Sequence, residues 1–583
     1  MVIGALNRVI AAVEEEAEWL RAEFYRAEGP RGRRGHCEVD REIEERLRAR
    51  LQAILPCEFG GEETGMSAGT QAGWTWLVDP HDGTFEFMAG RRGSAISVAL
   101  LRGNVPVLGV VCSPMSPDRG ADTIAWAEGA PAILRNGQPV QNDLSQRRLA
   151  PGEYVWATAS AANRPVAWSL AVAPARYIAM PSIAYRMARI AAGDGVATVS
   201  VHGVNEYDIA AGMALMRGAN GTVLDVEGRD VVLAGNTSTR VKGVFAGAPE
   251  AARRLAGFAW TELEQEPRRE PRVSLGFPRR NLPAQLARAQ GCLLGQAIGD
   301  SLGARVASKS AAEIAQLYPE GVRELADGGT HHIIAGQPTD DSEMALTLAR
   351  AILRDGRYER DRVLDAYREW LQTRPIDIAE TTERGLLGLH TTESESNGSL
   401  MRVAPIGIRL AGDPAAAART ARIDSGLTHP NPVCLDACAA YCAAIAAGIA
   451  GATREQMVEA ALAQCAGPAR EAIERCALPA DFTARRGWVL VTLQNAFFRL
   501  MGSEDIEQAL VGTIACGGDS DTNAAVAGAL LGALHGRDGF PSRWVFPLLA
   551  CRPLAEAGAP RPRPREYWPD DILEVAEALL HRE

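Results

Sequence analysis

Residues 261–283 constrain the architecture more than any other stretch. They are charged and Pro-rich, with Glu264-Gln265-Glu266-Pro267-Arg268-Arg269-Glu270-Pro271 followed by Phe277-Pro278-Arg279-Arg280, and no hydrophobic period survives in them. Such a segment reads as a linker. Before it, helical and strand periods follow one another. After it, the chain turns Ala-rich and helical, with few strand signals apart from short stretches near Ile333. A chain of 583 residues exceeds what one core can hold. The expectation is a multidomain protein: one domain over 1–260, the linker over 261–283, and an all-α domain over 284–583.

The bulk numbers exclude some functions. A net charge of -11 argues against nucleic-acid binding as the main task, and 47% hydrophobic with 23% charged residues is the balance of a soluble globular protein. The 11 cysteines follow no disulfide framework, and no apolar N-terminal h-region is present, so a cytoplasmic protein with reduced thiols is expected. Cys434, Cys438 and Cys442 share one helix face. A soft-metal site would need ligands from a second element, so they read as small packing residues. The run Ala437 to Ala452 reads as too short and too weakly apolar to span a bilayer. No membrane or nucleic-acid partner is expected.

In the first half, Leu6, Val9, Ile10, Val13, Ala17, Leu20 and Phe24 recur at helical spacing and predict an amphipathic helix over residues 4–28. The loop Gly29 to Gly35 carries Arg31, Arg33 and Arg34, which either reach an anionic substrate or are simply solvated. A second helix is predicted from Asp40 to Ile54. Gly61-Glu62-Glu63 forms a Gly-rich turn. A strand over Trp74 to Val78 ends in Asp79-Pro80-His81-Asp82-Gly83-Thr84, where Gly83 lets a ligand approach the backbone and the following amides can hold phosphate. Strands at Ala95 to Leu101 and Val105 to Val111 flank a hairpin turn. Tyr207-Asp208-Ile209-Ala210-Ala211-Gly212 opens a helix with an acid, and a strand follows at Thr222 to Val226. Glu62, Asp79, Asp82 and Asp208 are either unrelated caps or one ligand set.

In the second half, Gly517-Gly518-Asp519-Ser520-Asp521-Thr522 and Thr339-Asp340-Asp341-Ser342 each open an apolar helix. Oxygen ligands bunched at helix N-termini suit a hard cation; the plain alternative is an acidic cap. Around them stand Gly291-Cys292-Leu293-Leu294-Gly295, Gly299-Asp300-Ser301-Leu302-Gly303, Asn397-Gly398-Ser399-Leu400-Met401-Arg402 and Thr428-His429-Pro430.

The Gly-Glu-Glu, Asp-Pro-x-Asp-Gly-Thr and Asp-Ile-Ala-Ala-Gly motifs resemble the inositol monophosphatase family, which implies a layered αβαβα phosphatase over roughly residues 5–258. By that resemblance, Glu62, Asp79 and the His81 carbonyl hold one Mg²⁺, and Asp79, Asp82 and Asp208 a second. Thr84 paired with Asp40 orients water, and Glu63 sits behind the metals. Gly83 and Thr84 face the phosphate. Val201 stands where inositol phosphatases carry a substrate-binding Glu, which points away from inositol phosphate.

The second set of motifs resembles the ADP-ribosylglycohydrolase family over about residues 285–582. That implies two Mg²⁺ or Mn²⁺ on Thr339, Asp340, Asp341, Asp519, Asp521 and Thr522, with Asp341 also catalytic. Asn397, Arg402 and His429 would bind the substrate, although Asn397-Gly398 also reads as a turn and His429 as a polar residue before a helix. Ala307 occupies the place of a family Glu thought to assist acid–base chemistry, with Glu313 two helical turns further on. The implied protein is a bifunctional hydrolase. One half acts on a phosphorylated small molecule, and the other on an ADP-ribosylated protein or ADP-ribose derivative. The alternative is a phosphatase attached to a weak ADP-ribose-binding module. A phosphorylated nucleotide of the ADP-ribose kind would give both halves one substrate; two independent activities are the blander reading.

Overall fold

The computed structural model describes residues 2–33, 35–502 and 505–581. Arg34 of the basic loop lies outside the described residues. The chain divides into two compact units, Met1–Asn281 and Leu282–Glu583. The Pro-rich stretch packs on the first unit up to Asn281: the Phe277 ring meets Phe24 edge-on at 5.2 Å, and the Arg279 guanidinium lies over Phe24 at 5.1 Å.

The first unit is layered. Helices Val2–Phe24 and Glu38–Ile54 cover one face of an eight-stranded sheet. Helices Ile183–Ala191 and Glu206–Gly218 lie between that sheet and a five-stranded one, whose far side carries Pro165–Val172 and Pro249–Ala256. The apolar stripe of the first helix works as its spacing predicts: Leu6, Val9, Val13, Ala17, Leu20 and Phe24 are all buried. That helix ends at Phe24 rather than at residue 28. Arg31 of the basic loop is committed to protein, donating to Glu23 Oε2 at 2.8 Å and to Glu42 Oε1 at 2.8 Å. Ala95–Arg102 and Val105–Ser113 pair antiparallel, as the hairpin signal predicts.

The second unit is helical, and its strand signal near Ile333 amounts to a bridge with Gly328. Its centre is the contact between helices Pro283–Gly303 and Ser520–His535. Gly291, Gly295, Gly299 and Gly303 recur every four residues and therefore line one face of their helix. A Cβ on Gly295 would lie 2.1 Å from Gly528 O, on Gly299 2.1 Å from Ala524 O, and on Gly303 2.4 Å from Ser520 O. The two backbones touch along this stripe, which brings the N-terminal end of the second helix against the C-terminal end of the first.

Pro432–Ala450 corrects an expectation. It starts at Pro432, so it is 19 residues long and apolar enough to cross a membrane by composition. Within the unit, however, 72% of its most apolar window is buried. Cys434, Cys438 and Cys442 are buried free thiols within it, and Cys442 Sγ donates to Val403 O at 3.2 Å.

Candidate active sites

In the first unit, two strands end side by side. Cys57–Gly61 runs parallel to Gln71–Asp82 with Gly61 opposite Val78, and the Glu62 amide donates to Val78 O at 3.2 Å. Glu62 leaves one strand where Asp79 continues the other. Alternation along a strand would send Asp79 and Asp82 to opposite faces. The pairing with Ala95–Arg102 shifts between these two acids, so Pro80 and His81 form a bulge, and the two carboxylates act on each other. Asp208 joins them from the first turn of Glu206–Gly218, where its Oδ2 accepts the Asn205 amide at 2.8 Å in a capping box.

Desolvation leads in raising all four groups, and neighbouring carboxylates add to it at Glu62, Asp79 and Asp208. Glu62 is pushed up to about 7; its carboxylate turns to Asp79 and feels Glu63, Asp40 and Asp82. Asp79 and Asp208 are held well above the ordinary carboxylate range, and Asp82 is raised although Ser182 Oγ and Ala184 N donate to its Oδ2 at 2.5 and 2.7 Å. Among the described residues, none of the four makes an ion pair. An oxygen-only set of mutually repelling carboxylates fits a hard divalent cation.

Beside this cluster, Asp40 is shared. Its Oδ1 lies 2.7 Å from His81 Nδ1, and its Oδ2 accepts Thr84 Oγ1 at 3.4 Å. The shorter Thr84 bond goes to His81 O at 2.7 Å. The His81 imidazole is thus buried against Asp40 and against Phe87, with ring centroids 4.3 Å apart. Gly83 has φ 100°, which only glycine adopts freely, and it precedes the Thr84–Met88 helix. Glu63 is half-buried and raised by burial and by Asp40. Sequence reasoning missed Glu44. Its fully buried carboxylate accepts the amides of Glu63 and Thr64 at 2.7 and 2.8 Å and clamps the Glu62–Glu63 turn. A Cβ on Gly61 would strike it at 2.2 Å.

In the second unit, the glycine contact places Ser520–His535 beside Asp340–Asp355. Asp300, on the glycine-lined helix, caps the second of these: its carboxylate accepts Thr339 N at 3.1 Å, Thr339 Oγ1 at 2.8 Å and Ser342 N at 3.1 Å. Gly517 and Gly518 both have positive φ, and Cβ atoms there would meet Lys309 O at 2.6 Å and Phe482 O at 2.0 Å. The turn that presents Asp519 therefore requires both glycines.

Asp340, Asp341 and Asp519 are raised, with the neighbouring Asp521 carboxylate among the causes for each. Burial leads, lifting Asp340 and Asp341 well above the ordinary range, Asp519 to about 6, and Asp300 to about 7. Asp341 is 2% exposed, and its Oδ1 has no hydrogen-bond partner. A buried carboxylate oxygen with no donor is costly unless a cation faces it, so this set also fits a divalent metal. Thr339 and Thr522 flank the acids, both buried.

Asn397 sits against the cluster, with Nδ2 donating to Asp519 Oδ2 at 2.7 Å and to Thr492 Oγ1 at 3.0 Å. His429 is buried between Ser396 Oγ at 2.8 Å and Thr428 Oγ1 at 2.7 Å. Burial, then Arg402, pushes it down to about 3, so it is neutral at pH 7. Arg402 does not lie at an open face. It is fully buried, its Nε donates to Asp424 Oδ2 at 2.9 Å, and Tyr367 stacks on it at 4.6 Å. Its Nη2 also donates to Asp424 O at 3.0 Å, so Arg402 is turned inward to Asp424 rather than toward a substrate. Glu313 is spent on its own helix cap at Ser310 and is lowered by it. Two groups were missed: His331 Nε2 lies 3.5 Å from Asp521 Oδ2 and 3.9 Å from Asp377 Oδ2. The Asp521 carboxylate holds His331 toward its charged form. No spacing in the sequence ties residues 331 and 377 to 521.

A layered unit and a helical unit, each with a crowded carboxylate centre, define a two-domain hydrolase. The ADP-ribosylglycohydrolase family model matches residues 281–583, more than half of the chain, and the chain belongs to that family. The model of the inositol monophosphatase family matches residues 4–264, so the first unit is a domain of that family. The chain is 29% identical over 280 residues to the ADP-ribosyl-[dinitrogen reductase] glycohydrolase of Rhodospirillum rubrum, covering 46% of this chain and 92% of that protein. It is 28% identical to the ADP-ribosylarginine hydrolase Tri1 of Pseudomonas putida (strain GB-1), covering 45% of this chain and 74% of that protein. The probable inositol 1-monophosphatase ImpA of Mycobacterium tuberculosis is 30% identical over 240 residues, which is 39% of this chain and 86% of that protein.

Proposed function

We propose that the protein is a bifunctional, metal-dependent hydrolase, a phosphomonoesterase in its first unit and an ADP-ribosyl glycohydrolase in its second. The carrying observation is that each unit gathers acids from separate segments into one centre without ion-paired Lys or Arg among the described residues. Glu62, Asp79, the His81 carbonyl, Asp82 and Asp208 would hold Mg²⁺ in the first unit. Thr339, Asp340, Asp341, Asp519, Asp521 and Thr522 would hold Mg²⁺ or Mn²⁺ in the second. Bound there, such ions neutralise developing charge and make water a better nucleophile.

The chain's own residues supply orientation. Thr84 Oγ1, directed by His81 O and Asp40, positions a water for in-line attack on phosphorus, and the ester oxygen leaves with a proton. Gly83 leaves space for the phosphoryl oxygens, and Glu63 adds negative charge beside Asp40. In the second unit Asn397 fixes Asp519, while neutral His429 is a positioning residue that holds Ser396 and Thr428. Val201, in place of a carboxylate, favours a phosphorylated nucleotide over inositol phosphate. An ADP-ribose-like molecule would then serve both units.

The test is release of ADP-ribose from ADP-ribosyl-arginine protein by the purified chain with Mg²⁺ or Mn²⁺, beside an Asp519→Ala/Asp521→Ala control. Release that the control lacks is expected; equal release from both would remove this centre from the reaction. Phosphate release from adenine nucleotide phosphates tests the first unit, and its failure across that class would end the shared-substrate reading.

A further inference from the structure

His331 sits on a loop built against the acidic centre of the second unit. Thr330 Oγ1 donates to Ala307 O at 3.2 Å, and Thr330 N donates to Arg305 O at 3.3 Å. Gly328 N donates to Ile333 O at 2.7 Å, and Ile333 N returns a bond to Gly328 O at 3.2 Å. Gly329 passes so near that a Cβ would meet Arg305 Cα at 2.6 Å. His332 takes φ 54°, which a non-glycine side chain rarely adopts, and the tight turn aims its neighbour His331 at Asp521.

The His331 Nε2 atom is buried and has no hydrogen-bond partner, yet two carboxylate oxygens lie 3.5 and 3.9 Å from it. The three donor atoms of His331, Asp377 and Asp521 lie within 4.8 Å of one another. Donors held around one ion at about 2.1 Å are spaced by about 3.0–3.4 Å, so a small inward movement closes them. Asp341, with its own buried unpartnered oxygen, belongs to the same electrostatic group through Asp521.

We propose that His331 and Asp377 extend the acidic centre of the second unit into a mixed nitrogen and oxygen site that takes a divalent transition metal of the Mn²⁺, Fe²⁺ or Co²⁺ kind in preference to Mg²⁺. The inference rests on the proposed metal centre and deepens it. Oxygen-only ligands suit Mg²⁺, whereas an imidazole nitrogen favours the first-row transition ions. In the first unit the nearest imidazole, His81, lies with its Nδ1 2.7 Å from Asp40 Oδ1, so the first unit must be emptied of metal before the second is read.

Electron spin-echo envelope modulation of Mn²⁺ bound to the full chain tests this. The expected result is nitrogen-14 modulation from a directly bound imidazole, kept when Asp79→Asn/Asp82→Asn empties the first unit and lost in His331→Gln. In competition against Mg²⁺, His331→Gln binds Mn²⁺ at least about tenfold more weakly. His331→Asn, with circular dichroism of both variants, separates a lost ligand from a lost fold. Mn²⁺ that depends on Asp519 and Asp521 but shows no nitrogen modulation, or modulation unchanged by His331→Gln, overturns the inference and leaves the metal centre standing. Mn²⁺ stoichiometry unchanged by Asp519→Asn/Asp521→Asn removes the centre and the inference together.

Discussion

The first unit takes its acids from strand ends and a bulged turn, whereas the second takes them from the opening turns of two helices. In the first, Glu62 and Asp79 meet because parallel strands end in register, and Asp82 joins them through the bulge at Pro80 and His81. In the second, Asp340 and Asp519 meet because Pro283–Gly303 touches Ser520–His535 backbone to backbone through glycine and caps Asp340–Asp355 through Asp300. The two centres draw their rigidity from different sources. A sheet-borne centre is fixed by main-chain hydrogen bonds and by a side-chain clamp, Glu44. A helix-borne centre depends on how closely its helices approach, and it benefits from helix dipoles that favour the acids.

The largest effect expected is on the first centre alone. Asp79→Asn removes a carboxylate shared by both proposed ions, several kcal/mol of charge stabilisation. Phosphate release should fall by at least about 10³-fold, while ADP-ribose release stays within error. A parallel loss of both activities would show that the centres are coupled.

Glycine substitution tests the two sources of rigidity against each other. Gly299→Ala forces a Cβ onto the backbone Ala524 O at 2.1 Å, whereas Gly61→Ala meets the movable Glu44 carboxylate at 2.2 Å. Gly299→Ala should cost about 1–3 kcal/mol in chemical denaturation, and Gly61→Ala less. Equal costs would refute the contrast.

Asp300→Asn keeps the size of the tertiary cap on Thr339 and Ser342 but removes its charge. Its expected effect is a loss of about 10–100-fold in metal affinity at the second centre by calorimetry, with metal binding at the first centre unchanged.

The smallest effect concerns metal-free protein. Glu62 and Asp300 titrate at about 7 and Asp519 at about 6 in the folded chain, against about 4 when unfolded. Between those limits the folded state binds more protons than the unfolded one, so stability falls as pH rises. It is fully present below about pH 4 and lost by about pH 7. Asp118, Asp122 and Asp194 are lowered and act in the opposite sense below that window, and His429, pushed down to about 3, opposes the fall up to about pH 6.5 but is outnumbered by the raised carboxylates. The melting temperature of chelated protein should therefore drop between about pH 5 and about pH 7.5, and added divalent metal should erase the drop. A flat profile without metal would argue that these carboxylates do not repel one another.

The acidic motifs, the helix periods and the hairpin were legible in the chain because each depends on residues within one turn or one strand. Even the glycine stripe of Pro283–Gly303 is a local signal, four residues apart. The residues that were missed share a different origin. Glu44 clamps a turn 19 and 20 residues away, Asp300 caps a helix 39 residues away, and His331 approaches an acid on another helix. Arg402 misled in the same way: its motif suggested a substrate, but Asp424 and Tyr367, distant in sequence, claim it. Residue type and short spacing alone determined the chemistry on offer, oxygen donors at turns and helix starts, because those depend on local backbone preference. Tertiary structure alone decided which donors converge, how far burial and like charge raise them, and which polar groups are spent on structure. Those outcomes depend on the close approach of distant segments.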